Sequence, residues 1–135
     1  MEQSSANEAN QAAGANREAA LAIAETLAGH QARDTLVIDI GKKCSFADFF
    51  VIATVNSAGH LRGLIDRLEA TFAEYDVEPL RKPRRVQESG WTLIDCGFVV
   101  VHLMSDEMRT FYELEDLWFT GTVIFGGRES ANHSG

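Results

Sequence analysis

The feature that most constrains the fold is the stretch from Gly90 to Trp118, GWTLIDCGFVVVHLMSDEMRTFYELEDLW. Its centre, Phe98 to Leu103, is apolar at every position except His102, which predicts a central strand covered on both faces. Trp91, Leu93 and Ile94 predict a partner strand ahead of it, because β-branched and aromatic residues suit a pleated surface. Asp95-Cys96-Gly97 supplies the turn between them, with Gly97 free to take a positive φ. Ser105 then offers an N-cap, and Asp106 and Glu107 place negative charge at a helix N-terminus. Met108, Phe111, Tyr112, Leu114, Leu117 and Trp118 give that helix one wide apolar side. Everything upstream has to pack on this unit.

Upstream, residues 1–16 carry Ser, Ala, Asn, Gln and Glu without apolar periodicity and read as a disordered tail. An Ala-rich helix is expected from Arg17 to Ala28, stopped by Gly29. Thr35 to Ile40 reads as a strand, and Phe46 to Val55 as a second, antiparallel to the first across a short connection. Asn56 or Ser57 caps the next helix, whose Leu61, Leu64, Ile65, Leu68 and Phe72 form the cleanest helical stripe in the chain. Val77 to Arg81 reads as a third strand, placed at an edge by Pro79. After Trp118 a short apolar run, Thr122 to Phe125, either adds an edge strand, covers a groove or stays loose. The sum is one α/β domain over 17–119, a mixed sheet of about five strands with flanking helices, and a C-terminal tail over 120–135.

Composition narrows the chemistry. A chain of 135 residues, 45% hydrophobic, builds one core rather than two. A net charge of -8 disfavours non-specific binding to nucleic acid, DNA included, and favours a basic protein partner. No segment reads as a membrane span or a signal peptide, which points to the cytoplasm. Cys44, Cys96, His60 and His102 have no metal-ligand spacing, and no metal or cofactor is expected. Nucleotidyl transfer needs a Gly-Ser turn beside paired carboxylates, and Thr54-Val55-Asn56-Ser57 provides neither.

Three segments in order carry a family resemblance. ADFFVIATVNS at 47–57, WTLIDCGFVVVHLM at 91–104, and Arg109 with FYELEDLW at 111–118 resemble the signatures of the Iojap-type ribosomal silencing factors. The sequence departs from that pattern at Cys96, Phe98, Val55 and Met104. The resemblance implies a fold related to nucleotidyltransferases but without catalysis. It also implies binding to protein fourteen of the large ribosomal subunit, obstruction of subunit joining, lowered translation, and a homodimer off the ribosome. The rival from another class is a non-enzymatic dimeric adaptor of the same fold with a different protein partner.

On this reading Trp91, Asp95, His102, Tyr112, Glu115 and Trp118 are the candidate contacts to the ribosomal protein. Each has a structural alternative. The tryptophans also suit a core or a dimer contact, Asp95 also suits a turn cap, and His102 also suits a satisfied core histidine. Tyr112 and Glu115 share a helix face and could instead pair with each other. Arg81, Lys82, Arg84 and Arg85 are the basic cluster, either a solvated loop or a contact to ribosomal RNA.

Overall fold

A computed structural model describes residues 2–41, 47–87, 90–112 and 121–126. The order is α1 (Glu2–Gly29), β1 (Arg33–Asp39), β2 (Phe49–Thr54), α2 (Ala58–Glu74), β3 (Arg84–Gln87), β4 (Trp91–Asp95), β5 (Val99–Met104), α3 (Asp106–Tyr112) and β6 (Thr122–Gly126). The strands form one six-stranded sheet in the order β3-β4-β5-β2-β1-β6. The mixed α/β architecture is the expected one, with one more strand.

Two antiparallel hairpins, β1–β2 and β4–β5, meet through the parallel pairing of β2 with β5. Both central strands are buried at every position, as their unbroken apolar runs require. On one face, Ile23 and Leu27 of α1 and Leu64, Leu68 and Phe72 of α2 pack against Val51, Val99, Val101 and Leu103. Thr26 and Thr71 share a hydroxyl hydrogen bond of 2.7 Å between these two helices. Leu68 is fully buried, so truncation to Ala would cost about 2–5 kcal/mol. On the other face Leu36, Ile38, Phe50, Ile52, Val100 and Met104 form a second cluster, joined by Trp91, Leu93 and Met108 of α3.

Two expectations change, and one open alternative resolves. The stretch read as a disordered tail is helical from Glu2, continuous with the expected helix. Ala, Glu and Gln are strong helix formers, and propagation from a nucleated, packed segment needs no apolar stripe. The third strand is Arg84–Gln87 rather than Val77–Arg81. Val77 instead closes α2, its N–H donating to the Phe72 carbonyl at 2.8 Å, and its side chain is buried. The apolar run past residue 120 is an edge strand, β6, antiparallel to β1. Gly121 and Gly126 permit this close docking, since a Cβ at either would meet backbone of β1 at 2.7 or 2.3 Å.

Candidate functional site

The β4–β5 hairpin places the candidate residues. Alternation along β4 puts Trp91, Leu93 and Asp95 on one side, all half-buried, while Thr92 and Ile94 face the helices. On β5, His102 shares the side of Leu93, directly opposite it, and is opposite Ile52 of β2 on the other flank. His102 is therefore 5% exposed, with the Phe50 ring 5.0 Å away at 51° and the Trp91 ring 6.0 Å away at 43°. The Trp91 indole Nε1 donates to His102 Nδ1 at 3.3 Å. The imidazole proton then belongs on Nε2, which among the described residues has no hydrogen-bond partner. Burial pushes the His102 pKa down to about 4, so the ring is neutral near pH 7. His102 is thus a core histidine satisfied at Nδ1 alone among the described residues, and it supports Trp91 from beneath.

The turn is held by its own side chain. Asp95 Oδ1 accepts the Gly97 N–H at 3.0 Å, and Gly97 sits at φ +86°, the conformation the turn needed from glycine. The Cys96 N–H donates to the Val99 carbonyl at 2.9 Å, closing the hairpin. The Asp95 carbonyl accepts the Leu80 N–H at 2.8 Å, tethering the segment after α2 to the turn. Leu80 is left 63% exposed there, beside the basic run. Burial, and secondarily the Asp95 charge, pushes the Cys96 thiol up to about 12, so it stays protonated and unreactive.

A polar clasp at the opposite end of the hairpin was not read from the sequence. Arg33 at the start of β1 reaches Asp106 of α3 with two hydrogen bonds, 3.2 and 2.8 Å, and Asn56 Oδ1 with a third at 2.7 Å. The hydrogen bond with Arg33 holds the Asp106 carboxyl below its ordinary range, and Asp106 in return raises the Arg33 pKa. Beneath them Arg109 is buried, donating to Thr54 Oγ1 at 2.9 Å and to the Asp34 carbonyl at 2.7 Å. His60 Nδ1 accepts the Asn56 N–H at 3.0 Å while its Nε2 meets the His30 carbonyl at 2.9 Å. These partners lie up to 75 positions apart, and only the Arg109 of the third motif hinted at the cluster.

The remaining candidates distribute plainly. Tyr112 ends α3, and Glu115 and Trp118 lie outside the described residues. Arg81, Lys82, Arg84 and Arg85 are all exposed, and among the described residues none is in an ion pair. β3 pairing splits the last two. Arg84 stands opposite Leu93 on the Trp91 side, and Arg85 stands opposite Thr92 on the helix side. Among the described residues no group of three or more His, Cys, Asp or Glu side chains is arranged to hold a metal ion. No described helix is long and apolar enough to cross a membrane.

A family model described as ribosomal silencing factor during starvation matches residues 13–133. The chain belongs to that family. It is 41% identical over 101 residues to a ribosomal silencing factor of Treponema pallidum, covering 74% of this chain and 89% of that relative. It is 34% identical over 89 residues to the mouse protein named mitochondrial assembly of ribosomal large subunit protein 1, covering 64% of this chain and 39% of the mouse protein. A crystal structure of a protein from Chromobacterium violaceum superposes with a TM-score of 0.67 at 26% identity, covering 76% of this chain and 84% of the other. The bacterial relatives of this family are named for silencing ribosomes, a regulatory role rather than a reaction.

Proposed function

We propose that this silencing-factor family member binds the large ribosomal subunit through its protein fourteen, blocks joining of the small subunit, and so lowers translation in the cytoplasm. The observation that carries the reading is the family match over 13–133, which spans the whole β4–β5–α3 unit. The names of the Treponema and mouse relatives, both tied to the ribosome, support it. The contact surface would be the Trp91 side of the hairpin. Half-buried Trp91 and Asp95 would meet the partner, with Tyr112, Glu115 and Trp118 completing the surface and His102 orienting the indole. A chain of net charge -8, with Asp106 and Glu107 exposed on α3, would be steered toward a basic protein. Arg81, Lys82 and Arg84 would touch neighbouring RNA phosphates, and Arg85, on the other face of β3, only at its rim. Off the ribosome the same apolar side would serve a homodimer.

The test is sedimentation of purified subunits with and without the protein. Co-migration with the large subunit and a smaller joined peak is the expected result. A protein left at the top of the gradient, with joining unchanged, would overturn the reading in favour of an adaptor for another partner.

A further inference from the structure

α3 spans seven residues, Asp106–Tyr112, too few to stay helical on backbone hydrogen bonds alone. α1 and α2 are pinned by buried stripes, Ile23 with Leu27, and Leu64 with Leu68 and Phe72. Among the described side chains of α3, Met108 alone joins an apolar cluster, and it is only half-buried. The described anchors of this helix are therefore mostly polar. Arg109 holds its middle from beneath, through Thr54 and the Asp34 carbonyl. Arg33 holds its first turn from outside.

Arg33 commits its whole guanidinium to this task. Nη1 and Nη2 donate to the two Asp106 oxygens at 3.2 and 2.8 Å, and Nε donates to Asn56 Oδ1 at 2.7 Å. A two-pronged fork fixes direction as well as distance. Asn56 is fixed in turn, because its N–H is taken by His60 Nδ1 and His60 Nε2 meets the His30 carbonyl. The orientation of α3 is thus referred to the connections that flank β1 and α2. Strand register sets this clasp in line with the Trp91 surface. Arg33 pairs with Thr54, Thr54 with Met104 and Met104 with Trp91, one row across four strands. At about 4.8 Å per strand the row spans roughly 14 Å, and α3 begins two residues beyond Met104. Unlike Arg109, the pair is open to solvent, with side chains 46% and 69% exposed, so it adds little to global stability.

We infer that Arg33 is a positioning residue for ribosome binding, which through Asp106 and Asn56 sets the direction of α3 against the Trp91 side of the hairpin. This rests on the reading of that side as the ribosomal contact. Without the clasp, α3 takes up several directions, and apparent affinity falls by the fraction of time spent in the competent one. Charge alone makes the opposite prediction. Loss of Arg33 leaves an acidic chain more negative, which by itself strengthens attraction to a basic partner.

The experiment measures affinity of the full chain for purified large subunits by pelleting, beside hydrogen exchange of the free protein. Arg33→Met keeps the aliphatic stem and removes every donor. It should bind about fivefold more weakly while unfolding almost as the parent does. Asp106→Asn should weaken binding similarly, and the double variant no further, because both act through one contact. The Arg109 N–H, bonded to the Ser105 carbonyl at 2.9 Å, should exchange about fivefold faster in Arg33→Met. The Cys96 N–H, in the hairpin turn, should exchange as in the parent. Binding equal to or tighter than the parent, additive losses in the double variant, or an unchanged Arg109 amide would each overturn the inference. Trp91→Ala tells its failure from that of the ribosomal reading. Binding weakened by Trp91→Ala but not by Arg33→Met removes the role of Arg33 alone, whereas a parent chain that does not bind removes both.

Discussion

The indole N–H of Trp91 is donated to Nδ1 of His102, diagonally across the β4–β5 hairpin at 3.3 Å. One contact therefore sets both the indole orientation and the imidazole tautomer. It also means that the histidine must stay neutral, because a proton on Nδ1 would face a donor.

This gives a pH dependence. The folded pKa of His102, about 4, lies below its ordinary value of 6.5 because the ring is buried. Between those values the unfolded chain binds a proton that the folded chain does not, so stability falls as pH drops from 6.5 toward 4. The loss is on the order of 3 kcal/mol. His102→Gln keeps an acceptor for Trp91 and removes the titration. Melting temperatures over pH 4.5 to 7 should slope less for the variant than for the parent, and parallel curves would contradict the assignment.

Asp95 has two separable tasks. Its Oδ1 caps the Gly97 N–H, and on the proposed interface its charge meets the ribosome. Asp95→Asn retains the acceptor and should unfold like the parent while binding the large subunit more weakly. Asp95→Lys loses both, adding a stability cost of about 1 kcal/mol. Chemical denaturation beside subunit co-sedimentation distinguishes the two. If Asp95→Asn binds undiminished, the carboxylate is a turn cap only.

Arg109 is expected to be the most sensitive charged position. Its hydrogen bonds to Thr54 and the Asp34 carbonyl tie α3 to the ends of β2 and β1. Asp34 sits at φ +50°, so its carbonyl is presented by a strained residue that Arg109 helps to hold. Arg109→Ala should cost about 3 kcal/mol in urea unfolding, from two lost charge-assisted bonds. A cost under about 1 kcal/mol would mean that solvent replaces the guanidinium freely.

Cys96 should resist alkylation. Its thiol is buried and pushed up to about 12, so almost no thiolate exists at pH 8. In a Cys44→Ser background, iodoacetamide should label Cys96 only after denaturant is added. Labelling of the native protein within minutes would show that the turn opens readily.

The parts of the fold legible in the sequence were those with strong side-chain patterns. The unbroken apolar runs of β2 and β5 and the stripe Leu61 to Phe72 each had one solution. β3 was misplaced because Arg-Arg-Val-Gln has no alternation to read, and its place comes from backbone pairing with β4. The turn cap at Asp95 was legible because it is local. The Arg33–Asp106 and Arg109–Thr54 contacts were not, since only the closed sheet brings those segments together. Arg84 and Arg85 looked like one cluster until pleating sent them to opposite faces.

The parallel pairing of β2 with β5 at the middle of the sheet also has a consequence for synthesis. β1 and β2 can close on each other early, but α2, β3 and β4 must all be made before β2 receives its second neighbour. Until then Phe49 to Thr54 is an unpaired apolar edge of the kind that recruits other chains. A nascent or truncated chain ending before Val99 should therefore aggregate or engage chaperones, whereas one extended through Met104 can complete its own centre.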